Sequence, residues 1–450
     1  MLKWRGKRIL VVGAARSGVA VVKVLLSYGS KVALYDGKTE EQLRGELVPL
    51  TRLNYDKYFG KEPDVAHDFD LIIVSPGVPL SIPVIISAYA AGIPIWGEIE
   101  LAYIFAKGDI IAITGTNGKT TTTALVGQIF RDAGKSSRMG GNIGNPLIVE
   151  ATEGKRDELL IAEVSSFQLE TISEFKPKGA AILNLTPDHL DRHGNMENYL
   201  DAKSRIYENQ STNDFLVLNY DDEKIRRLDI DRPRKIYFSR RQEVHGVYVK
   251  DGVMYANFRG QEERIISIKD IKIPGGHNLE NALAATALAL AMDVPAYSIA
   301  HTLRTFSGVP HRLEFVTEKN GVQFINDSKG TNPDSTIKAL EAYPGPIILI
   351  AGGKNKGSNF HELSLKIKEK VKYLILVGKA STEIASAVEE VGFKNYIIVD
   401  EFSETVQVAA NHSEVGDIVL LSPACASWDM FENYEQRGNL FKELVLHLGR

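Results

Sequence analysis

Short apolar runs rich in β-branched residues recur along the chain: RILVVG, KVALYD, DLIIVS, DIIAITG, LLIAEV, AAILNL, FLVLN, PIILIAGG, KYLILVG, NYIIVD and DIVLLS. They are continuously apolar rather than alternating, the pattern of parallel strands buried on both faces. Helical stretches separate them. Such alternation predicts an α/β protein with helices layered on largely parallel sheets. Pro94 and Gly97, then Gly308 and Pro310, punctuate the pattern and divide it into blocks 1–98, 99–308 and 309–450. In the middle block, VHGVYVKDGVMYANFRG predicts an antiparallel hairpin turning at Asp251-Gly252.

Length agrees with this division, since 450 residues correspond to about three domains at roughly 150 residues each. Lys and Arg number 53 against 57 Asp and Glu, a net charge of −4. That balance offers no global attraction for nucleic acid or an anionic membrane. The single cysteine, Cys425, excludes an intramolecular disulfide and points to a reducing compartment. The most apolar region, Leu71 to Ala106, is broken by Pro76, Pro79, Pro83 and Pro94, so no membrane span is expected. The basic, then apolar N-terminus ends at Gly13 and Arg16 and reads as a strand and turn rather than a leader.

The candidate chemistry sits at strand ends. GAARSG follows the first strand, and Asp36 ends the second. Ala15 stands where a dinucleotide fingerprint needs its second glycine, which argues against NAD. A packing turn or a site for another nucleotide or diphosphate remains. Ser75-Pro76-Gly77 ends a further strand of this block. GTNGKT, Gly115 to Thr120, lies between a strand and a helix, where backbone N–H groups cradle phosphates. Lys119 would reach the phosphates and Thr120 a Mg²⁺ ion. The first Walker glycine is absent, with Ile113 in its place. Glu163 ends a strand, as a cap or as the acidic Mg²⁺ ligand of a P-loop sheet. NLTPDHLDRHG carries His189, a metal or substrate ligand unless the loop is merely a solvated turn. Lys203 on the next helix is by itself an ordinary surface lysine. Asn278 and Asn281 share a helix face, to cap it or to read a purine. His311 and Arg312, then Asp327, Lys329, Thr331 and Asn332, then Lys354 and Lys356, then Ser427, make the third block rich in anion-binding groups.

In this order TGTNGKTT, EVSSFQLE, NLTPDHLDRH, HNLENALAA, HRLE and NDSKGTN resemble the ATP-dependent Mur ligases over about residues 7–445. EVSSFQLE, NDSKGTNP and SPACASWDMFENYEQRG are most similar to the D-glutamate-adding branch. The resemblance implies three domains: a Rossmann-like domain for a UDP precursor, a P-loop domain for ATP, and a Rossmann-like domain for the amino acid. It implies a cytoplasmic, monomeric enzyme of peptidoglycan synthesis with no nucleic-acid partner. The reaction expected is addition of D-glutamate to UDP-N-acetylmuramoyl-L-alanine through an acyl phosphate, with ATP as co-substrate and two Mg²⁺ ions. A related ligase using another amino acid, or a P-loop NTPase without ligation, is the alternative. By the same resemblance Gly115, Thr116, Asn117, Gly118, Lys119, Thr120 and Thr121, with Asn278, Asn281, Arg312 and Asp327, bind ATP. Lys119, His189, Lys203, Arg312 and Asp327 carry catalysis. Thr120, Glu163, His189 and a carbamate on Lys203 hold the metal. Arg16, Ser17, Asp36, Lys38, Ser75, Gly77, Asn142 and His189 take the UDP precursor, and Lys329, Thr331, Lys356, Ser427 and Tyr434 the D-glutamate. Arg16 replaces an apolar residue of the pattern, Lys38 an arginine and Tyr434 a phenylalanine.

Overall fold

The computed structural model describes residues 4–65, 68–142, 144–258 and 260–449. Three sheets follow one another along the chain. The first has five strands, in the order Asp56–Phe59, Lys31–Asp36, Arg8–Val12, Leu71–Val74 and Ile95–Gly97, all parallel. Its chain order reverses between Arg8–Val12 and Leu71–Val74. Ligands of open α/β sheets bind at the carboxyl ends of strands beside such a reversal. The loops GAARSG and Ser75–Gly77 stand there, joined by the Ser75 hydroxyl donating to the Gly13 carbonyl at 3.1 Å. A Cβ on Gly18 would stand 1.8 Å from that same carbonyl, so this turn requires glycine for close approach.

The second sheet has nine strands. Seven are parallel, from Ser137–Gly141 through Leu159–Glu163, Ile110–Thr114, Gly179–Ile182, Phe215–Asn219 and Arg234–Ser239 to Gly246–Lys250. The hairpin of Gly246–Lys250 with Val253–Asn257 extends it antiparallel, and Glu263–Ser267 closes the edge. Asp251 and Gly252 both take positive φ, 49° and 72°, the turn that matches strand twist. Helices Lys119–Asp132 and Gly276–Ala291 pack together on one face over Ile113, Leu125, Ala284 and Leu288.

The third sheet has six strands, in the order Glu314–Lys319, Val322–Asn326, Ile418–Leu421, Ile347–Ala351, Val371–Val377 and Tyr396–Val399. Only the first pair is antiparallel. The carboxyl ends of Val322–Asn326, Ile418–Leu421 and Ile347–Ala351 are therefore neighbours on one sheet edge.

Buried carboxylates fix the helix that leaves the first sheet against the second domain. Glu100, fully buried on helix Glu98–Phe105, accepts from the backbone N–H groups of Ser173, Glu174 and Phe175 at 2.8 to 2.9 Å. Glu98 on the same helix accepts from Ile148 N–H at 2.7 Å. Among the described residues, no helix is long and apolar enough to cross a membrane.

Candidate functional site

Strand Ile110–Thr114 turns through Gly115–Gly118 into helix Lys119–Asp132. Gly118 caps that helix with φ 85°, and a Cβ there would stand 2.2 Å from Asn281 Oδ1. Left-handed backbone and close packing both demand glycine. The loop lines a cavity of about 180 Å³, bounded by residues of the second and third sheets. Four cationic side chains, Lys119, Arg312, Lys329 and Lys356, meet two carboxylates there, Glu163 and Asp188. Such an excess of positive charge in a small space favours an anion.

The Lys119 ammonium folds back on its own loop, donating to the carbonyls of Gly115 at 2.9 Å and Thr116 at 2.8 Å. Lys203, buried behind the cavity wall, donates to the same Gly115 carbonyl at 2.9 Å and lies 4.3 Å from the Tyr199 ring centre. Burial lowers the pKa of both amines, and Lys203, with Lys119 nearby, falls well below the ordinary lysine value.

Strand register places Glu163 beside Ile113, next to the phosphate loop. Its Oε1 accepts from Asn142 Nδ2 at 2.9 Å, while its Oε2 is buried with no hydrogen-bond partner. On the other side of the phosphate-loop strand, Gly179–Ile182 leads to His189, whose φ is 53°. A histidine held left-handed costs roughly 1 kcal/mol and needs surrounding structure to enforce it. Burial lowers the His189 pKa to about 4; Asp188 opposes this, and Lys356, Lys119 and Lys203 reinforce it. The ring is neutral at pH 7.

Lys356 reaches across to the second domain and pairs with Asp188 at 3.2 Å. Asn332 donates to the other Asp188 oxygen at 3.1 Å. Burial raises the Asp188 carboxyl, but Lys356, His189 and the Asn332 hydrogen bond outweigh it and leave the pKa below the usual range. Lys329 lies 5.1 Å from the Tyr434 ring centre, and burial brings its pKa down to about 8. Thr331 and Tyr434 complete this wall. Ser427 ends the neighbouring loop but is buried behind the surface, 2% exposed.

A larger cleft of about 420 Å³ opens from Asn117, Gly118 and Thr121 toward Asn281, His277 and Glu280. Arg312, Asp327 and Lys338 close it from the third domain. Asp327 accepts from Ser422 Oγ at 2.8 Å and from Leu313 N–H at 3.3 Å, and pairs with Arg312 at 3.5 Å. Burial still raises its pKa. Asn281 faces this cleft. Asn278 is buried beside it, donating to the Pro274 carbonyl at 2.7 Å and accepting from Asn281 at 3.2 Å.

In the first sheet, Asp36 accepts from the amides of Ala14 and Lys38 at 2.8 and 3.0 Å and so shapes two strand-end loops at once. Lys38 and Arg16 are exposed, and Arg16 donates to Asn145 of the second domain at 3.3 Å. Ser17 is half-buried and Ser75 buried.

Two residues, Asp188 and Arg240, carry no role in the sequence reading, and Asn117, expected on the ATP side, has side-chain partners the sequence does not announce. Asp188 is the counterion of Lys356; its place beside His189 was the one available signal. Asn117 points its side chain away from the loop: its amide donates to Asp334 at 2.7 Å and its oxygen accepts from Ser335 at 2.7 Å. Those two residues start helix Pro333–Glu341, whose Asn332 cap and leading proline are legible, but whose target is not. Arg240 pairs with Glu280 at 2.8 Å in the larger cleft, with no motif to announce it.

Three family models match this chain: Mur ligase MurD-like, N-terminal domain, over residues 7–97; Mur ligase middle domain over 113–289; and Mur ligase, glutamate ligase domain, over 311–425. The chain belongs to the Mur ligase family. In this Mur ligase the first and third matched segments hold all the strands of their sheets, while the middle match begins within strand Ile110–Thr114, takes in the rest of the second sheet and ends within helix Gly276–Ala291. A UDP-N-acetylmuramoylalanine–D-glutamate ligase of Pelotomaculum thermopropionicum is 52% identical over 445 residues, 98% of each chain. The enzyme of that name from Clostridioides difficile is 47% identical over 448 residues, 99% of each chain. Among solved structures, the UDP-N-acetylmuramate–alanine ligase MurC of Thermotoga maritima superposes with a TM-score of 0.61 at 22% identity, covering 97% of this chain and 98% of that one. MurF of the same organism, in complex with ADP, gives 0.61 at 16% identity over 98% and 96%. At these identities the two structures establish a shared fold.

Proposed function

We propose that this Mur ligase adds D-glutamate to UDP-N-acetylmuramoyl-L-alanine at the cost of ATP. The observation that carries the reading is the pair of adjoining cavities around one phosphate loop, a long cleft sized for a nucleotide and a small chamber dominated by cations. Full-length identity to relatives bearing that name supports it.

ATP lies in the larger cleft, its base toward Asn281 and its phosphates on Gly115–Thr121. The precursor enters from the first sheet, held by Ser75 and Gly77 and by Asp36 with Lys38, and its carboxylate meets Asn142 and His189. A carboxylate oxygen attacks the γ-phosphorus, the bond to the bridging oxygen breaks, and ADP leaves an acyl phosphate. The D-glutamate nitrogen then attacks the acyl carbon, phosphate departs, and the nitrogen loses a proton. Both steps gather negative charge, which Lys119, Arg312 and Lys329 offset as it grows. Lys356 and Thr331 hold the D-glutamate carboxylates, with Ser427 beneath. His189 lines the reaction chamber and Asp327 the nucleotide cleft.

The donor set fits Mg²⁺. Glu163 presents a buried oxygen without a partner, and no group of three or more His, Cys, Asp or Glu converges among the described residues. Mg²⁺ typically takes one or two carboxylates and completes its shell with phosphates and water. Thr120 would hold one ion, and Glu163, His189 and a carbamate on Lys203 a second. When bound, the ions would neutralise phosphate charge as it builds up in the reaction. The depressed pKa of Lys203 suits carbamate formation, because the free amine attacks CO₂ and releases a proton.

Phosphate release tests the reading, with UDP-N-acetylmuramoyl-L-alanine offered alongside a panel of D- and L-amino acids. Turnover that needs both the precursor and D-glutamate is expected. Turnover independent of both makes the chain an NTPase; preference for another amino acid makes it a different ligase.

A further inference from the structure

We infer that Arg192 is a positioning residue that sets the precursor-side loop of the first domain and the His189 ring in one arrangement. Its guanidinium sits where three pieces of chain meet. Nη1 donates to the Pro76 carbonyl at 3.3 Å and Nη2 to the Val78 carbonyl at 3.5 Å, one on each side of Gly77. Nη2 also pairs with Glu170 at 2.5 Å. The guanidinium lies 4.3 Å from the centre of the Phe167 ring.

The geometry has consequences in two directions. Toward the first domain, Arg192 grips the strand-end loop where its chain order reverses, 116 residues away in sequence. Arg192 thereby ties the two domains together through Pro76 and Val78. Toward the reaction chamber, Phe167 carries the contact onward. Its ring meets His189 edge-on at 4.9 Å and stacks on His193 at 5.4 Å, and His193 is bonded to the Ser166 hydroxyl at 3.0 Å. His189 is held left-handed and nothing else aromatic touches its ring among the described contacts. A planar guanidinium is the one side chain able to stack on a ring while donating in-plane to a carboxylate and two carbonyls. Lysine reproduces the charge but not the fork.

This inference rests on the proposed ligase reading for its kinetic test. Arg192→Ala should raise KM for UDP-N-acetylmuramoyl-L-alanine on the order of tenfold or more and lower kcat, because a small misplacement at a reacting pair costs that much. KM for ATP and for D-glutamate should stay within about twofold, since Arg192 lies away from both sites. Arg192→Lys should recover part of the loss, and Glu170→Gln, which keeps the arginine but frees its orientation, should raise the same KM to a smaller extent. An unchanged precursor KM and kcat in Arg192→Ala overturns the assignment, and so does an equal rise in all three KM values, which would mark a merely structural strut. If Arg192→Ala does not fold, Glu170→Gln and Arg192→Lys decide by the same criterion. Hydrogen exchange of the amides in residues 75–80 gives a readout independent of turnover. Faster exchange in Arg192→Lys than in the unsubstituted protein supports the positioning role; identical exchange overturns it. Failure of the unsubstituted protein to turn over would instead sink the ligase reading and leave the exchange result standing.

Discussion

Lys119 shows how much a single side chain reports about its loop. Its ammonium bonds to the carbonyls of Gly115 and Thr116 and so stands at the loop expected to cradle the phosphates. Lys119→Ala removes a cation from the site of charge build-up, and turnover should fall by about a hundredfold or more with the fold intact. Near-normal turnover in a folded variant would refute the phosphate role. Lys203 shares the Gly115 carbonyl but not the cavity wall. On the proposed reading it is converted from cation to carbamate anion, so Lys203→Ala should lose activity and regain part of it with acetate or formate. Full activity in that variant would eliminate the carbamate. GTNGKT singles out Lys119 because the phosphate loop is a local structure. Nothing local distinguishes Lys203 from a surface lysine; the helix Met196–Ser204 buries it because its inner face packs beneath the phosphate loop.

Elements add what residues alone do not. Helix Glu98–Phe105 starts with an acidic residue, ordinarily favourable beside the N-terminal dipole. Glu98 turns instead to the adjacent helix Leu147–Glu153, accepting from Ile148, with its Oε2 buried and partnerless. Burial raises its pKa to about 7, against backbone hydrogen bonds from Ile148 and Leu147. The unfolded chain loses this proton near the ordinary glutamate value of about 4.3. Between the two values the native state holds a proton the unfolded state lacks. The stability contribution is therefore complete below the lower value and disappears as pH rises through about 7. Glu98→Gln keeps the acceptor and removes the ionisation, so by chemical denaturation it should gain stability relative to the parent at about pH 8 compared with about pH 5. A difference that does not change with pH would contradict this. Strands show a related division. The runs legible in the sequence are mostly interior strands. Asp56–Phe59, Ser137–Gly141, Glu263–Ser267 and Glu314–Lys319 escaped notice because each is a sheet edge, partly open to solvent, with no continuous apolar run.

The whole molecule is a machine of three sheets whose strand ends converge, and its site exists only when they do. Lys356 comes from the third domain and Asp188 from the second, 168 residues apart, and the pair bridges the chamber. Asn117 meets Asp334 over 217 residues and latches the phosphate loop to the start of helix Pro333–Glu341. Domain closure of this kind aligns reactants and excludes the water that would hydrolyse an acyl phosphate. Lys356→Ala should therefore weaken D-glutamate far more than ATP or the precursor. A buried acceptor left without its donor costs about 1–3 kcal/mol, five- to more than a hundredfold in kcat/KM for D-glutamate. Steady-state kinetics with each substrate varied in turn will show it, and an unchanged D-glutamate KM and rate would remove Lys356 from the site. The linear chain by itself determined the α/β class, most of the interior strands, the hairpin at Asp251-Gly252 and the phosphate loop, because apolar continuity, turn chemistry and a strand–loop–helix signature act over a few neighbouring residues. Only the tertiary structure decided that Asp188 answers Lys356, that Asn117 faces Asp334, that Glu163 keeps one oxygen free and that Arg192 grips a loop of another domain. Those pairings arise from how separate sheets dock, and local periodicity carries no record of a partner a hundred residues away.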